Sequence, residues 1–166
     1  MIKLINLLKE SNKKQFVIFV DMDGTICDFD KQFELISGGV SPKEYEQKNG
    51  IEAFWKIITD EGSKFWATME WMPEGKQLWD YIKSYKPVLL SAPSRAESSK
   101  IGKELWRNKN IPGTKMVLAS RQDKKTYADP THILIDDRKD NISSWVEVGG
   151  VGIQYLSTSQ TIEKLK

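Results

Sequence analysis

The stretch Phe16-Val17-Ile18-Phe19-Val20-Asp21-Met22-Asp23-Gly24-Thr25 decides how this chain is read. Five consecutive apolar residues, all β-branched or aromatic, run straight into two carboxylates and a glycine. An unbroken run of that kind is how a strand buried on both faces looks, and such strands belong to parallel sheets.

Working outward, three later runs resemble the first: Val88-Leu89-Leu90, Met116-Val117-Leu118-Ala119 and Ile133-Leu134-Ile135. Each is a candidate central strand, and a last strand is expected over Val151 to Tyr155. Between them lie helical patterns: Leu78, Ile82 and Tyr85 after Pro73-Glu74, then Ile101, Leu105 and Trp106. Ser94 and Glu97 have the spacing of a capping box at the start of the second helix. A further helix is expected from a capping Asn141 to Gly149-Gly150.

Strands alternating with helices predict an α/β fold: a Rossmann-like, three-layer parallel sheet with helices on both faces. The segment from Cys27 to Met72 breaks the alternation. It is polar, helix-like and interrupted by Gly38-Gly39 and Gly62, and it reads as a small helical cap inserted after the first strand. Residues 1–26 and 73–166 then form the core and 27–72 the cap. A short amphipathic helix is expected over Met1 to Glu10.

At 166 residues, with 39% apolar and 29% charged, the chain suits one globular domain with a real core plus a small insertion. Lys and Arg exceed Asp and Glu by only two charges, so net charge argues for neither an extended nucleic-acid surface nor a membrane surface. The single cysteine, Cys27, excludes an internal disulfide. No run is apolar for long enough to span a bilayer, and a reducing cytoplasm is the expected location.

The chemistry is carried by acids at strand ends. Val20 leads into Asp21 and Asp23, and Ile135 leads into Asp136-Asp137. In an open parallel sheet the ligand site lies beyond the carboxyl ends of the strands, so four carboxylates converge on one crevice. Like charges that close repel unless a cation sits among them, and oxygen-only ligands suit Mg²⁺ where phosphate also binds. The spacing of Asp21 and Asp23 supplies a nucleophile leaving the strand and a proton donor from the following turn. Gly24 permits that turn.

In these residues the chain resembles the haloacid dehalogenase-like hydrolase superfamily, across roughly residues 16 to 141. Phe16 to Thr25 matches its first motif, Val88-Leu89-Leu90-Ser91 its second, and Asp136-Asp137 its fourth. The third, a lysine, has two candidates, Lys124 and Lys125; Lys125 is favoured because Lys-Thr before the acid strand looks like the nucleotidase branch. The resemblance implies that Asp21 attacks phosphorus, that Asp23 acts as general acid and base, and that Mg²⁺ is held by Asp21, the carbonyl of Asp23 and Asp136, with Asp137 orienting a ligand water. It also implies that Ser91, Ala92 and one of the two lysines bind the phosphoryl oxygens.

Within the superfamily the chain is most similar to the 5'(3')-deoxyribonucleotidases and their phage and bacterial relatives. The similarity rests on Asp28-Phe29 after the first motif, Phe65-Trp66 ahead of Met72-Pro73-Glu74-Gly75, Ser91-Ala92-Pro93-Ser94, and Leu134 to Arg138. Ser91 and Ala92 depart from the Thr and Ser usual in that branch. The expected activity is hydrolysis of a phosphate monoester, with a nucleoside monophosphate as substrate.

Phe54, Trp55, Phe65, Trp66 and Trp71 crowd the cap segment; Phe65 and Trp66 are the pair expected to form a base pocket, since aromatic faces stack on bases for about 1–3 kcal/mol. Rival readings are a phosphatase of sugar phosphates or nucleic-acid ends, and a phosphate- or metal-binding module without turnover. The partner expected is a small phosphate ester, with no membrane or extended nucleic acid; a homodimer is compatible with the sequence. His132 and Cys27 are read as structural. Lys100, Lys103 and Arg107 are read as a solvated helix face, although Arg95 and Lys103 stand near enough to Ser91 to touch phosphate.

Overall fold

The computed structural model describes residues 16–166, so the helix expected over Met1 to Glu10 lies outside the described residues. Five parallel strands form one sheet: β1 (Val17–Val20), β2 (Val88–Ser91), β3 (Met116–Leu118), β4 (His132–Asp136) and β5 (Val151–Gln154), in spatial order β3-β2-β1-β4-β5. Around it lie α1 (Phe29–Ser37), α2 (Pro42–Glu61), α3 (Ser63–Ala67), α4 (Gly75–Ile82), α5 (Glu97–Asn110), α6 (Lys139–Glu147) and α7 (Thr158–Leu165). This is the Rossmann-like α/β fold expected. No helix among the described residues is long and apolar enough to cross a membrane.

The unbroken apolar run puts β1 at the centre, paired on both edges. Its alternate side chains enter opposite layers: Ile18 and Val20 join Leu89, Ile133 and Ile135 on one face, while Phe19 joins Leu90, Leu134 and Trp145 on the other. Trp145, fully buried, lies 5.4 Å from Phe19 between ring centres, and its indole N–H donates to the His132 carbonyl. Gly150 makes room for that ring, since a Cβ there would lie 2.5 Å from its Cδ1. The Met116 run differs from its expectation: β3 is an edge strand of half-buried residues, so an apolar run alone did not distinguish edge from centre.

Register fixes what meets at the top of the sheet. Val20 stands beside Ile135 on β4 and Leu89 on β2, so the residues following them, Asp21 and Asp136, emerge side by side. From β1 the chain winds through β2 to β3, then crosses to β4 on the other flank of β1. The strand order therefore reverses between β1 and β4, where an open α/β sheet leaves its ligand crevice.

The segment between β1 and α4 leaves and returns at one place. Asp28 N–H donates to Glu70 O and Met72 N–H to Ile26 O, at 2.9 and 2.8 Å. Asp28 caps α1 by accepting from Lys31 N, and Ser41 caps α2 ahead of Pro42. α2 is broken at Gly50, whose φ of +85° is outside the helical range. This excursion has no separate core: Phe54, Ile58, Phe65 and Trp66 are buried in the same cluster as Ile18 and Val20.

Two helix starts differ from their expectations. α5 begins at Glu97 with Ala96 at its cap position, and Ser94 accepts instead from the amide of Ala96. No capping box forms, because Glu97 is already inside the helix and pairs with Lys100. α6 begins at Lys139, so Asn141 lies within its first turn and is no cap.

Candidate active site

The turn after β1 is wound around one carbonyl. Met22 O accepts from the amides of Thr25, Ile26 and Cys27, while Gly24 N–H donates to Cys27 O. Gly24 sits at φ +74°, a backbone conformation side chains disfavour. The turn aims Asp21 and Asp23 into one cavity of about 1090 Å³, which Gly24, Ala92, Lys124, Asp137 and Asn141 also line.

Three of the four expected acids converge closely. Asp21, Asp136 and Asp137 each present a carboxylate oxygen within 4.8 Å of the other two. Lys124 joins them from a short 3-10 helix: its Nζ lies 2.9 Å from Asp21 Oδ1 and 2.8 Å from Asp136 Oδ2. The preference for Lys125 is thereby corrected. In that helix the two side chains point apart, so Lys125 is exposed and Lys124 is buried.

Burial works against the charge of Lys124, but Asp21 and Asp136 outweigh it and hold the ammonium above its ordinary pKa. Asp136 accepts further hydrogen bonds from Asn141 Nδ2 and from the Arg138 amide, both at 2.9 Å. Burial, then the nearby Asp21 charge, pushes Asp136 up. Asp137 is raised to about 7 by burial and by Asp21 and Asp136, and its Oδ1 is buried without a hydrogen-bond partner among the described residues.

That arrangement fits a divalent cation. When ionised, the three carboxylates (−3) against the one ammonium of Lys124 (+1) leave a charge of −2. The donors are all oxygen, as Mg²⁺ requires, and one of them, Asp137 Oδ1, lacks any other partner among the described residues. The Asp137 amide donates to Thr25 Oγ1, tying the ends of β1 and β4 together.

Asp23 stands apart from the three. Its Oδ2 pairs with Lys103 Nζ at 2.6 Å, and Lys103 also donates to Ser91 Oγ at 3.1 Å. Burial raises the Asp23 pKa, opposed by Lys103 and reinforced by Asp21. Lys103 was expected on a solvated face, yet it is fully buried. A charged residue beside Gly102 on a helix carrying Trp106 was the available signal.

The two aromatics expected at a base pocket part company. Phe65 is fully buried, packed edge-on against Phe29 and Trp66, and does not line the cavity. Phe54 stacks on Phe33 in the core at 4.8 Å, and Trp71 packs against Trp106. Trp66 does line the cavity, and so does half-buried Trp55 of α2 with exposed Ile51 beside it. Arg95, Arg121 and Arg138 line the cavity as well. Outside the site, His132 Nδ1 lies 2.7 Å from Tyr127 O, and burial pushes the Cys27 thiol pKa well up, which disfavours the thiolate.

No protein-family model matches the sequence, and no curated protein does. Solved structures match the fold. A hydrolase from Streptococcus pneumoniae TIGR4 is 13% identical with a TM-score of 0.56, over 92% of this chain and 99% of that one. A Had-superfamily hydrolase from Ehrlichia chaffeensis is 12% identical with a TM-score of 0.56, over 94% and 100%. A dehalogenase is 11% identical with a TM-score of 0.57, over 88% and 87%.

Proposed function

We propose that the chain is a phosphatase of the haloacid dehalogenase-like kind, hydrolysing the phosphate ester of a nucleoside monophosphate through a covalent intermediate on Asp21. The observation that carries this reading is the cluster of Asp21, Asp136, Asp137 and Lys124, in which Asp21, Asp137 and Lys124 line one cavity together with Asp23.

In the first step an oxygen of Asp21 bonds to phosphorus, the ester P–O bond breaks, and its electron pair goes to the leaving oxygen. Asp23, raised in pKa by burial, gives that oxygen its proton. In the second step Asp23 takes a proton from water, the water oxygen bonds to phosphorus, and the Asp21–phosphorus bond breaks to free phosphate and restore the carboxylate. Lys124, on the cavity wall, would hold a phosphoryl oxygen, and Ser91, buried at the end of β2 just before Ala92 on that wall, is the second residue assigned to phosphate. Asp21, Asp136 and Asp137 would hold Mg²⁺, which when bound shields the charge of the phosphoryl group from the carboxylates.

The fold is shared with a dehalogenase, but departing halide needs no proton. A carboxyl kept protonatable beside the nucleophile favours an oxygen leaving group, and hence a phosphate ester. Trp55 and Trp66 on the cavity wall favour a nucleoside over a bare sugar.

The test is a substrate panel with and without Mg²⁺: nucleoside monophosphates, sugar phosphates, 5'- and 3'-phosphorylated oligonucleotides and haloacids. The reading predicts Mg²⁺-dependent phosphate release, fastest from nucleoside monophosphates. Release from no ester would leave a binding module, and preference for oligonucleotide ends would move the substrate to nucleic acid.

A further inference from the structure

The break in α2 decides which part of that helix reaches the site. Gly50 stands at φ +85°, and a Cβ there would meet nothing within 4 Å, so the backbone angle and not crowding calls for glycine. The residues of α2 on the cavity wall, Ile51, Glu52, Trp55 and Thr59, all follow the break. A second helical run thus starts there with one face turned to the cavity.

Glu52 and Trp55 are three residues apart and so are neighbours on that face. Trp55 is half-buried, and Trp66 of α3 lines the same cavity. Glu52 is exposed and has no hydrogen-bond or ion-pair partner among the described residues. Lys56, one turn further on, is committed to Asp60 at 2.7 Å. Asp28, another acid on the wall, is occupied in capping α1. The nucleotide reading uses the two indoles but leaves the carboxylate of Glu52 without a task.

A base stacked on an indole turns its edge toward whatever stands beside that ring. Beside Trp55 stands a carboxylate, which when ionised only accepts hydrogen bonds and can accept from two donors at once. Guanine carries two adjacent donors on one edge, N1–H and the 2-amino group. Adenine and cytosine set their amino group beside a ring nitrogen that accepts, and uracil and thymine set their N–H between two carbonyls. Each of these would bring an acceptor against the carboxylate. Hypoxanthine keeps N1–H but lacks the amino group.

We propose that Glu52 selects the base: the nucleoside monophosphate taken by this cavity carries guanine, whose N1–H and 2-amino group donate to the two carboxylate oxygens while the ring stacks on Trp55. This rests on the nucleotide reading of the cavity. Glu52 takes part in no step of the hydrolysis; it sets which substrate is held.

Isothermal titration of the full chain with 5'-GMP, 5'-IMP and 5'-AMP is the test. Asp21→Asn with Mg²⁺ is used so that no ester is consumed, and the wild-type chain in EDTA takes its place where thermal melting shows that variant unfolded. GMP is expected to bind at least about tenfold tighter than IMP or AMP, the low end of what a bidentate contact discriminates, because water reaches an exposed carboxylate. Glu52→Ala in the same background changes an exposed helical position, where substitutions usually cost little stability. It is expected to weaken GMP about tenfold and AMP by less than about threefold. GMP binding no tighter than IMP or than AMP, or a Glu52→Ala that weakens all three alike, overturns the proposal.

Phosphate release by the wild-type chain from p-nitrophenyl phosphate, which has no base, keeps the two readings apart. Release without a guanine preference removes only the base assignment. A guanine preference without release from any ester leaves the base site standing and removes the hydrolysis.

Discussion

A Cβ placed on Gly24 would lie 2.6 Å from Oδ2 of Asp137, a residue more than a hundred positions away. Gly24 is thus required twice, by its φ of +74° and by the carboxylate that presses on it. Gly24→Ala forces one of them to move. Mg²⁺ affinity is predicted to fall by about 10- to 100-fold, the range seen when a neighbour that orients a ligand is lost. Isothermal titration with Mg²⁺ measures it, and unchanged affinity would exclude Asp137 from the metal site.

Lys124 and Lys125 are adjacent in sequence and opposite in environment. Lys124→Met removes the ammonium that pairs with both Asp21 and Asp136 and is predicted to lower kcat by about 10²-fold or more. Lys125→Met alters an exposed position and is predicted to change stability by less than about 0.5 kcal/mol and kcat hardly at all. A larger loss for Lys125 would reinstate the reading made from sequence.

The acid cluster sets the pH response. Asp137 has an ordinary pKa of 3.8 when unfolded and about 7 when folded. Between those values the folded protein keeps a proton on Asp137 that the unfolded chain has released, so without metal the contribution of Asp137 to stability is greatest at the acid end and declines as pH rises toward 7. Mg²⁺ needs the deprotonated ligand, so its stabilisation grows across the same window. Melting curves at several pH values, with and without Mg²⁺, should show the two sets diverging upward in pH. A constant Mg²⁺ increment would contradict this.

Of the expected pair Phe65 and Trp66 only Trp66 lines the cavity, and Trp55 lines it too. Trp55→Ala is predicted to raise KM for a nucleoside monophosphate by about tenfold, within the stacking range of about 1–3 kcal/mol, and to leave KM for a small phosphate ester nearly unchanged. Phe65→Ala empties a fully buried site and is predicted to cost about 3–5 kcal/mol of stability. Steady-state kinetics and chemical denaturation separate the two. A Phe65 variant that stays stable but loses nucleotide affinity would return that ring to the pocket.

The sheet and its acids were legible because each depends on local pattern. A run buried on both faces must be apolar throughout, and acids directly after two such runs must emerge at the same sheet edge. Lys103, Asn141 and the choice of Lys124 were not legible, because each depends on how a helix is rotated against the strand ends. Asn141 reads as a cap by residue type, yet one turn of α6 directs it onto Asp136. The position of Phe65 away from the cavity was not legible for a related reason: aromatic side chains in a small helical segment face its packing or its cavity according to helix rotation, which adjacency in sequence does not report.

The central claim is that Asp21 becomes phosphorylated. Acid-quenching the enzyme during turnover of a phosphate ester with Mg²⁺, followed by peptide mass spectrometry, tests it most directly. A phosphoryl group on Asp21, absent in a folded Asp21→Asn variant that releases no phosphate, is the predicted result. Phosphate release continuing in Asp21→Asn, or turnover with no phosphoryl group on Asp21, would contradict it.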